Sequence, residues 1–181
     1  MPDQELSRQE KETIAIGASV AAGCQPCTQH HVGEARAASV SEHDMRQAVD
    51  DALCVRRNAS AVIARHAGML LGESPAPDPA CCGEKTLLRE LTSVAAAFAV
   101  NCTVNIESHA AAARRSGATE RQIQTAIGLA RTIKRVAASH AEDAADPLLA
   151  DAEPSTAEAP ATPGCGCASE PEGTGEGRPR G

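Results

Sequence analysis

Apolar positions in this chain recur at helical spacing, and the pattern is interrupted in two places. After a polar lead over residues 1–5, Leu6, Ile14, Ile16 and Val20 stand among alanines through residue 22, with a charged stretch from Gln9 to Glu12. The spacing predicts a helix, weakened by Gly17. A second helix is predicted over 24–38. Ser41-Glu-His-Asp44 reads as a capping box, the serine accepting first-turn amides and Asp44 reaching back. It opens an apolar stripe of Met45, Val49, Ala52 and Leu53 that runs to about residue 57. Val62, Ile63, Met69, Leu70 and Leu71 predict a further helix over 59–71, stopped by Gly72. The first interruption follows at 73–83, where Pro75, Pro77 and Pro79 cannot continue a helix. Leu87, Leu88, Leu91, Val94 and Phe98 resume the pattern, and a helix follows Cys102. Thr119-Glu-Arg-Gln122 then caps Ile123, Ile127 and Ala130 in a last helix over about 120–143. The second interruption is the proline- and glycine-rich tail after Asp146, predicted to be disordered.

The pattern is also repeated. Cys24-Gln-Pro-Cys27-Thr-Gln-His30-His31 returns 78 residues later as Cys102-Thr-Val-Asn105-Ile-Glu-Ser-His109. At the same offset Glu12 answers Glu90, Arg36 answers Arg114, Glu42 answers Glu120, Ala48 answers Ala126 and Arg57 answers Arg135. One offset shared by so many positions marks an internal duplication. The expected organisation is all-α: a repeat over 6–72 carrying the CxxC, a Pro-rich linker over 73–83, a repeat over 84–145 with a degenerate site, and a disordered tail over 146–181 with a CxC. Cys102 is expected to pack as a small buried hydrophobe, and Asn105 cannot cycle between redox states.

Composition sharpens this picture. The hydrophobic fraction is 42%, much of it alanine, with one phenylalanine and no tyrosine or tryptophan. Helices packed closely through small side chains suit such a chain, and subunit association would enlarge a core that alanines alone leave thin. A net charge of −7 without a basic–aromatic stripe argues against nucleic acid. No apolar run is long enough to span a membrane, and Met1-Pro-Asp-Gln-Glu does not open a signal peptide, so a cytoplasmic protein is expected. There are eight cysteines, at 24, 27, 54, 81, 82, 102, 165 and 167. In a reducing compartment, paired cysteines do chemistry or bind metal rather than staple a fold. No Gly-x-Gly-x-x-Gly fingerprint suggests a bound nicotinamide or flavin.

The chemistry concentrates at the CxxC. On a helix, Cys24, Cys27 and His31 share one face, at i, i+3 and i+7. The thiols can close into a disulfide, a thiol near a helix N-terminus gains thiolate character, and the imidazole can move the proton. The same residues also suit a soft metal, with Cys24, Cys27 and His30 or His31 as ligands, helped by Cys81-Cys82 or Cys165-x-Cys167. A closed zinc site would need four ligands.

The two-copy pattern, with Glu12, Cys24-x-x-Cys27 and His31, resembles the alkylhydroperoxidase D-like (AhpD-like) and carboxymuconolactone decarboxylase superfamily over about residues 6–142. That resemblance implies an all-helical homo-oligomer, a trimer for a two-repeat chain. It implies a thiol-dependent hydroperoxidase acting on organic hydroperoxides or peroxide. Cys27 would be the peroxidatic nucleophile and Cys24 the resolving thiol, with His31 as proton shuttle and Glu12 orienting it. It implies no resident cofactor or metal; electrons would come from an external thiol donor, either a dithiol such as the lipoyl group of a lipoylated protein or a peroxiredoxin. Two features depart from the family pattern. Pro26 stands where a tyrosine or histidine often precedes the second cysteine, and the complete pair lies in the N-terminal repeat. Pro26 also suits a thiol–disulfide reductase or electron carrier, and the superfamily includes decarboxylases that need no dithiol. His30 is expected at the surface or an interface, and His43 and His66, which have no site context, at the surface or in packing.

Overall fold

The computed structural model describes residues 5–74 and 85–150, so Cys81, Cys82, Cys165 and Cys167 lie outside the described residues. Six helices follow one another: α1 (Arg8–Ala22), α2 (Gln25–Ala37), α3 (Glu42–Leu70), α4 (Leu87–Ala99), α5 (Thr103–Arg115) and α6 (Glu120–Ala150). No strand occurs among the described residues. The first three helices and the last three are two copies of one unit. Helices α1 and α4 pack against each other at the centre; α3 and α6 each contact both, while α2 rests on α1 and α5 on α4.

Duplication is written into the backbone. Gly23 (φ 73°) and Asn101 (φ 60°) both turn the chain left-handed before the second helix of their repeat, and Ser39 (φ 61°) and Gly117 (φ 92°) do so after it. Each pair is related by the 78-residue offset. Glycine adopts this conformation freely and asparagine tolerates it. Cys24 and Cys102 then occupy the N-cap positions of α2 and α5 with nearly identical dihedrals, φ −92° and ψ 104° against φ −93° and ψ 96°. A basic side chain from the third helix braces each turn. Arg56 donates to the carbonyls of Val20 and Ala21, and its counterpart Lys134 donates to Asn101 Oδ1.

The core is built as the composition anticipates. Ile14, Ile16, Leu91 and Val94 are wholly covered, each such side chain stabilising the fold by about 1.5–3 kcal/mol, and alanines fill the spaces between helices. Gly17 explains itself here. A Cβ at this position would lie 2.4 Å from Thr92 Cγ2, so the missing side chain is what lets α1 approach α4. One polar cluster joins the repeats inside this core. Asp51 of α3 accepts both guanidinium bonds of Arg89 at 2.9 Å and lies 3.3 Å from Lys85 Nζ, which also donates to Ser93 Oγ at 2.7 Å.

Several sequence expectations need correction. The helices expected to end near 57 and restart at 59 are one helix, α3, because Arg56-Arg57-Asn58-Ala59 contains neither glycine nor proline and Asn58 turns inward. The last helix runs to Ala150 rather than about 143, so residues 146–150 are helical and not part of a disordered tail. Pro147 falls in its final turn. At the start of α3, Asp44 does not reach back to the backbone of Ser41; its carboxylate accepts from the Ser41 hydroxyl instead, at 2.7 Å. Reciprocal capping occurs at Thr119 with Gln122, and at Ser7 with Glu10, which begins α1. No helix of the described residues is long and apolar enough to cross a membrane.

Candidate active site

The turn at Gly23 delivers Cys24 to the N-cap of α2, with Pro26 in the first helical turn where its missing amide costs nothing. Cys27 follows inside that turn. The two sulfurs are joined in a disulfide of 2.08 Å with the Cα atoms 5.3 Å apart, and both residues are buried. The Cys27 amide donates to Cys24 Sγ at 3.1 Å. One of the orphan amides at the start of the helix is therefore aimed at the sulfur that would carry charge when the pair is reduced.

One turn further along α2, His31 Nδ1 lies 3.0 Å from Glu12 Oε2 on α1. A carboxylate only accepts, so Nδ1 carries the hydrogen of this bond, and in the neutral ring Nε2 is the nitrogen with the lone pair. Both side chains remain about one-fifth exposed. His30 is exposed and meets His31 edge to face, with ring centroids 4.9 Å apart. His43 and His66 are exposed and lie on α3.

Cys27, His30 and His31 face a cleft of about 680 Å³ between α2 and α6. Its far wall belongs to the second repeat, where Leu129, Ile133, Val136 and His140 succeed one another along α6. Helical spacing groups these four on one face, so a single stripe of α6 forms an apolar wall that ends in an imidazole. Ring nitrogen and sulfur atoms of His140, Cys24 and Cys27 all lie within 4.8 Å of one another. His140 is the site residue that sequence reasoning missed. Its counterpart in the first repeat is Val62, so the duplication gave no signal for it, and no short-range motif surrounds it.

The second copy of the site keeps the proton-handling pair but not the dithiol. His109 Nδ1 lies 2.8 Å from Glu90 Oε2, the same nineteen-residue separation as His31 from Glu12. This pair is more enclosed, and burial pulls the His109 pKa below its ordinary value, with nearby Lys85 adding to the fall while Glu90 opposes it. Cys102 is buried and free, and the Asn105 amide points toward the Val55 carbonyl at 3.5 Å. Cys54, half-buried on α3, is itself disulfide-bonded.

No curated protein and no solved structure matches the chain. The profile of the Carboxymuconolactone decarboxylase family, by contrast, matches residues 1–68 and 86–147, one segment over each repeat. With both repeats covered and the disulfide-forming pair in the first, the chain belongs to the Carboxymuconolactone decarboxylase family, as an all-α, two-repeat member of alkylhydroperoxidase D-like architecture.

Proposed function

We propose that the chain is a cytoplasmic thiol-dependent hydroperoxidase that cycles through the Cys24–Cys27 disulfide. The observation that carries this reading is a closed CxxC pair whose Cys27 lines a cleft together with His31, a histidine whose Nδ1 is held by the Glu12 carboxylate. Of the two sulfurs, Cys27 belongs to the residue lining the cleft, so it is the one a substrate meets. Its thiolate attacks the distal oxygen of a hydroperoxide. The O–O bond breaks, an alcohol (or water) leaves with a proton relayed by His31, and a sulfenic acid remains on Cys27. Cys24 condenses with that sulfenic acid, expelling water and forming the disulfide. An external dithiol then attacks Cys27, and Cys24 leaves as a thiolate stabilised by the Cys27 amide and the N-terminus of α2. Leu129, Ile133 and Val136 favour an organic hydroperoxide over hydrogen peroxide, because they offer apolar surface to its substituent.

The test is consumption of cumene hydroperoxide by wild type and Cys27→Ser, with reduced lipoamide and thioredoxin offered separately as donors. Turnover is expected with wild type and none with Cys27→Ser, whereas Cys24→Ser should leave a trappable sulfenic acid on Cys27. Absence of Cys27-dependent consumption with every donor, alongside fast reduction of a protein disulfide, would replace this reading with that of an electron carrier.

A further inference from the structure

We propose that the reduced protein binds one soft divalent metal ion, of which zinc is the natural probe, between Cys24, Cys27 and His140. This goes beyond the hydroperoxidase reading and does not depend on it. The three ligand atoms come from two repeats, two sulfurs at the start of α2 and one imidazole from α6, and they already lie within 4.8 Å of one another. Zinc holds thiolate at about 2.3 Å and imidazole at about 2.0–2.1 Å, which sets ligand-to-ligand distances of roughly 3.5–4 Å. Opening the disulfide lets the sulfurs separate to that spacing, and the imidazole need move by only about 1 Å to complete the set.

The surroundings suit such an ion. Cys24 and Cys27 are buried, and two neighbouring buried thiolates repel each other unless a cation lies between them. The Cys27 amide donating to Cys24 Sγ lowers the cost of deprotonating that thiol further. His140 is exposed at the mouth of the cleft, so an ion can reach the site and a water can take the fourth position. Neither His30 nor His31, the ligands that spacing suggested, joins the two sulfurs in this group; His31 already has its Nδ1 committed to Glu12. Two thiolates and one imidazole select zinc-like ions over magnesium or calcium, which prefer oxygen.

Binding and oxidation exclude each other. Loading the ion releases the two thiol protons as both sulfurs become metal-bound thiolates. When the pair is oxidised, each sulfur gives up one electron, the S–S bond forms and the ion is released. With a hydroperoxide as oxidant, the two electrons from the sulfurs and two protons from solvent convert it to an alcohol and water. The ion therefore occupies only the reduced site, and oxidation of the pair expels it.

The experiment titrates full-length protein, reduced and freed of reductant under anaerobic conditions, with zinc against a chromophoric chelator, and with cobalt for its thiolate charge-transfer band. Because other cysteines can also take up metal, the comparison is between wild type, C24S/C27S, His140→Ala and His140→Cys. Wild type should bind one equivalent that C24S/C27S lacks and that disappears after oxidation with a disulfide-forming reagent. Even partners behind a metal ligand are worth about 10–100-fold in affinity, so His140→Ala should weaken that equivalent by at least ~10-fold, and His140→Cys should restore it. His140 is exposed, so these variants should fold, which circular dichroism checks. Unchanged affinity in His140→Ala, or retention of the same equivalent by C24S/C27S, would overturn the site. Hydroperoxide turnover measured in excess chelator tests the catalytic reading separately.

Discussion

Two Glu–His pairs with the same spacing have different surroundings. His31 lines a cleft with Cys27 and is held by a partly exposed Glu12; His109 and Glu90 are more enclosed, in the repeat where Asn105 stands in place of a second cysteine. If His31 relays the proton, His31→Ala should lower kcat/KM for cumene hydroperoxide by about 10²–10⁴-fold. Glu12→Gln should cost less, because its amide oxygen still accepts from Nδ1, and Glu90→Gln should leave the rate per folded molecule unchanged. An equal loss in Glu12→Gln and Glu90→Gln would mean that the carboxylates serve the fold alone. His109 makes the opposite kind of prediction, one of stability. Its folded pKa lies below the ordinary 6.5, so at lower pH the unfolded chain takes up a proton that the folded chain resists. That contribution is fully present above about 6.5 and is lost as pH falls toward and through the depressed folded pKa. Urea unfolding of wild type should show stability falling over that window more steeply than in His109→Asn; parallel slopes would reject it.

At the scale of helices, α1 against α4 is the contact on which both sites are mounted. Glu12 and the Gly23 turn ride on α1, and Glu90 and the Asn101 turn ride on α4. Gly17 sets how closely the two helices approach. Thr92 cannot swing its methyl away freely, since it is β-branched and its hydroxyl donates to the Leu88 carbonyl at 2.9 Å. Gly17→Ala gains up to about 1 kcal/mol in helix propensity but overpacks a tight contact, which costs about 1–3 kcal/mol. Net destabilisation is expected in wild type. In a Thr92→Ser background, where the opposing methyl is gone, the same Gly17→Ala change should become neutral or stabilising. Chemical denaturation of the four members of this cycle measures the coupling, and additive effects would show that Gly17 and Thr92 do not meet. Helix α6 serves the site differently, by lending its outer stripe to the other repeat's cleft.

On the scale of the whole molecule, apolar surface remains uncovered along the end of α3. Ile63 is 64% exposed, Leu70 75% and Leu71 80%, in a protein whose alanine-rich helices otherwise bury most of their apolar side chains. Such a patch suits association, and the homotrimer implied by the resemblance is the expected assembly. Sedimentation equilibrium should show a trimer at micromolar concentration, and Ile63→Glu with Leu71→Glu should shift it toward monomer; a wild-type monomer throughout would end this expectation. Much of the architecture was legible before folding. The 78-residue offset, the CxxC, both Glu–His separations and the caps at Ser41 and Thr119 are local or periodic features, set by helical geometry and turn chemistry within a few residues. Helix ends were less legible, because α3 continues past 57 and α6 through Pro147 without a local signal strong enough to mark either. What local spacing cannot encode is which faces meet. Only the packing of α6 against α1 and α2 brings Leu129, Ile133, Val136 and His140 to the cysteines of the first repeat, and only the approach of α4 gives Gly17 its reason. Those contacts depend on the burial of whole helices against one another, and that is decided by the tertiary structure.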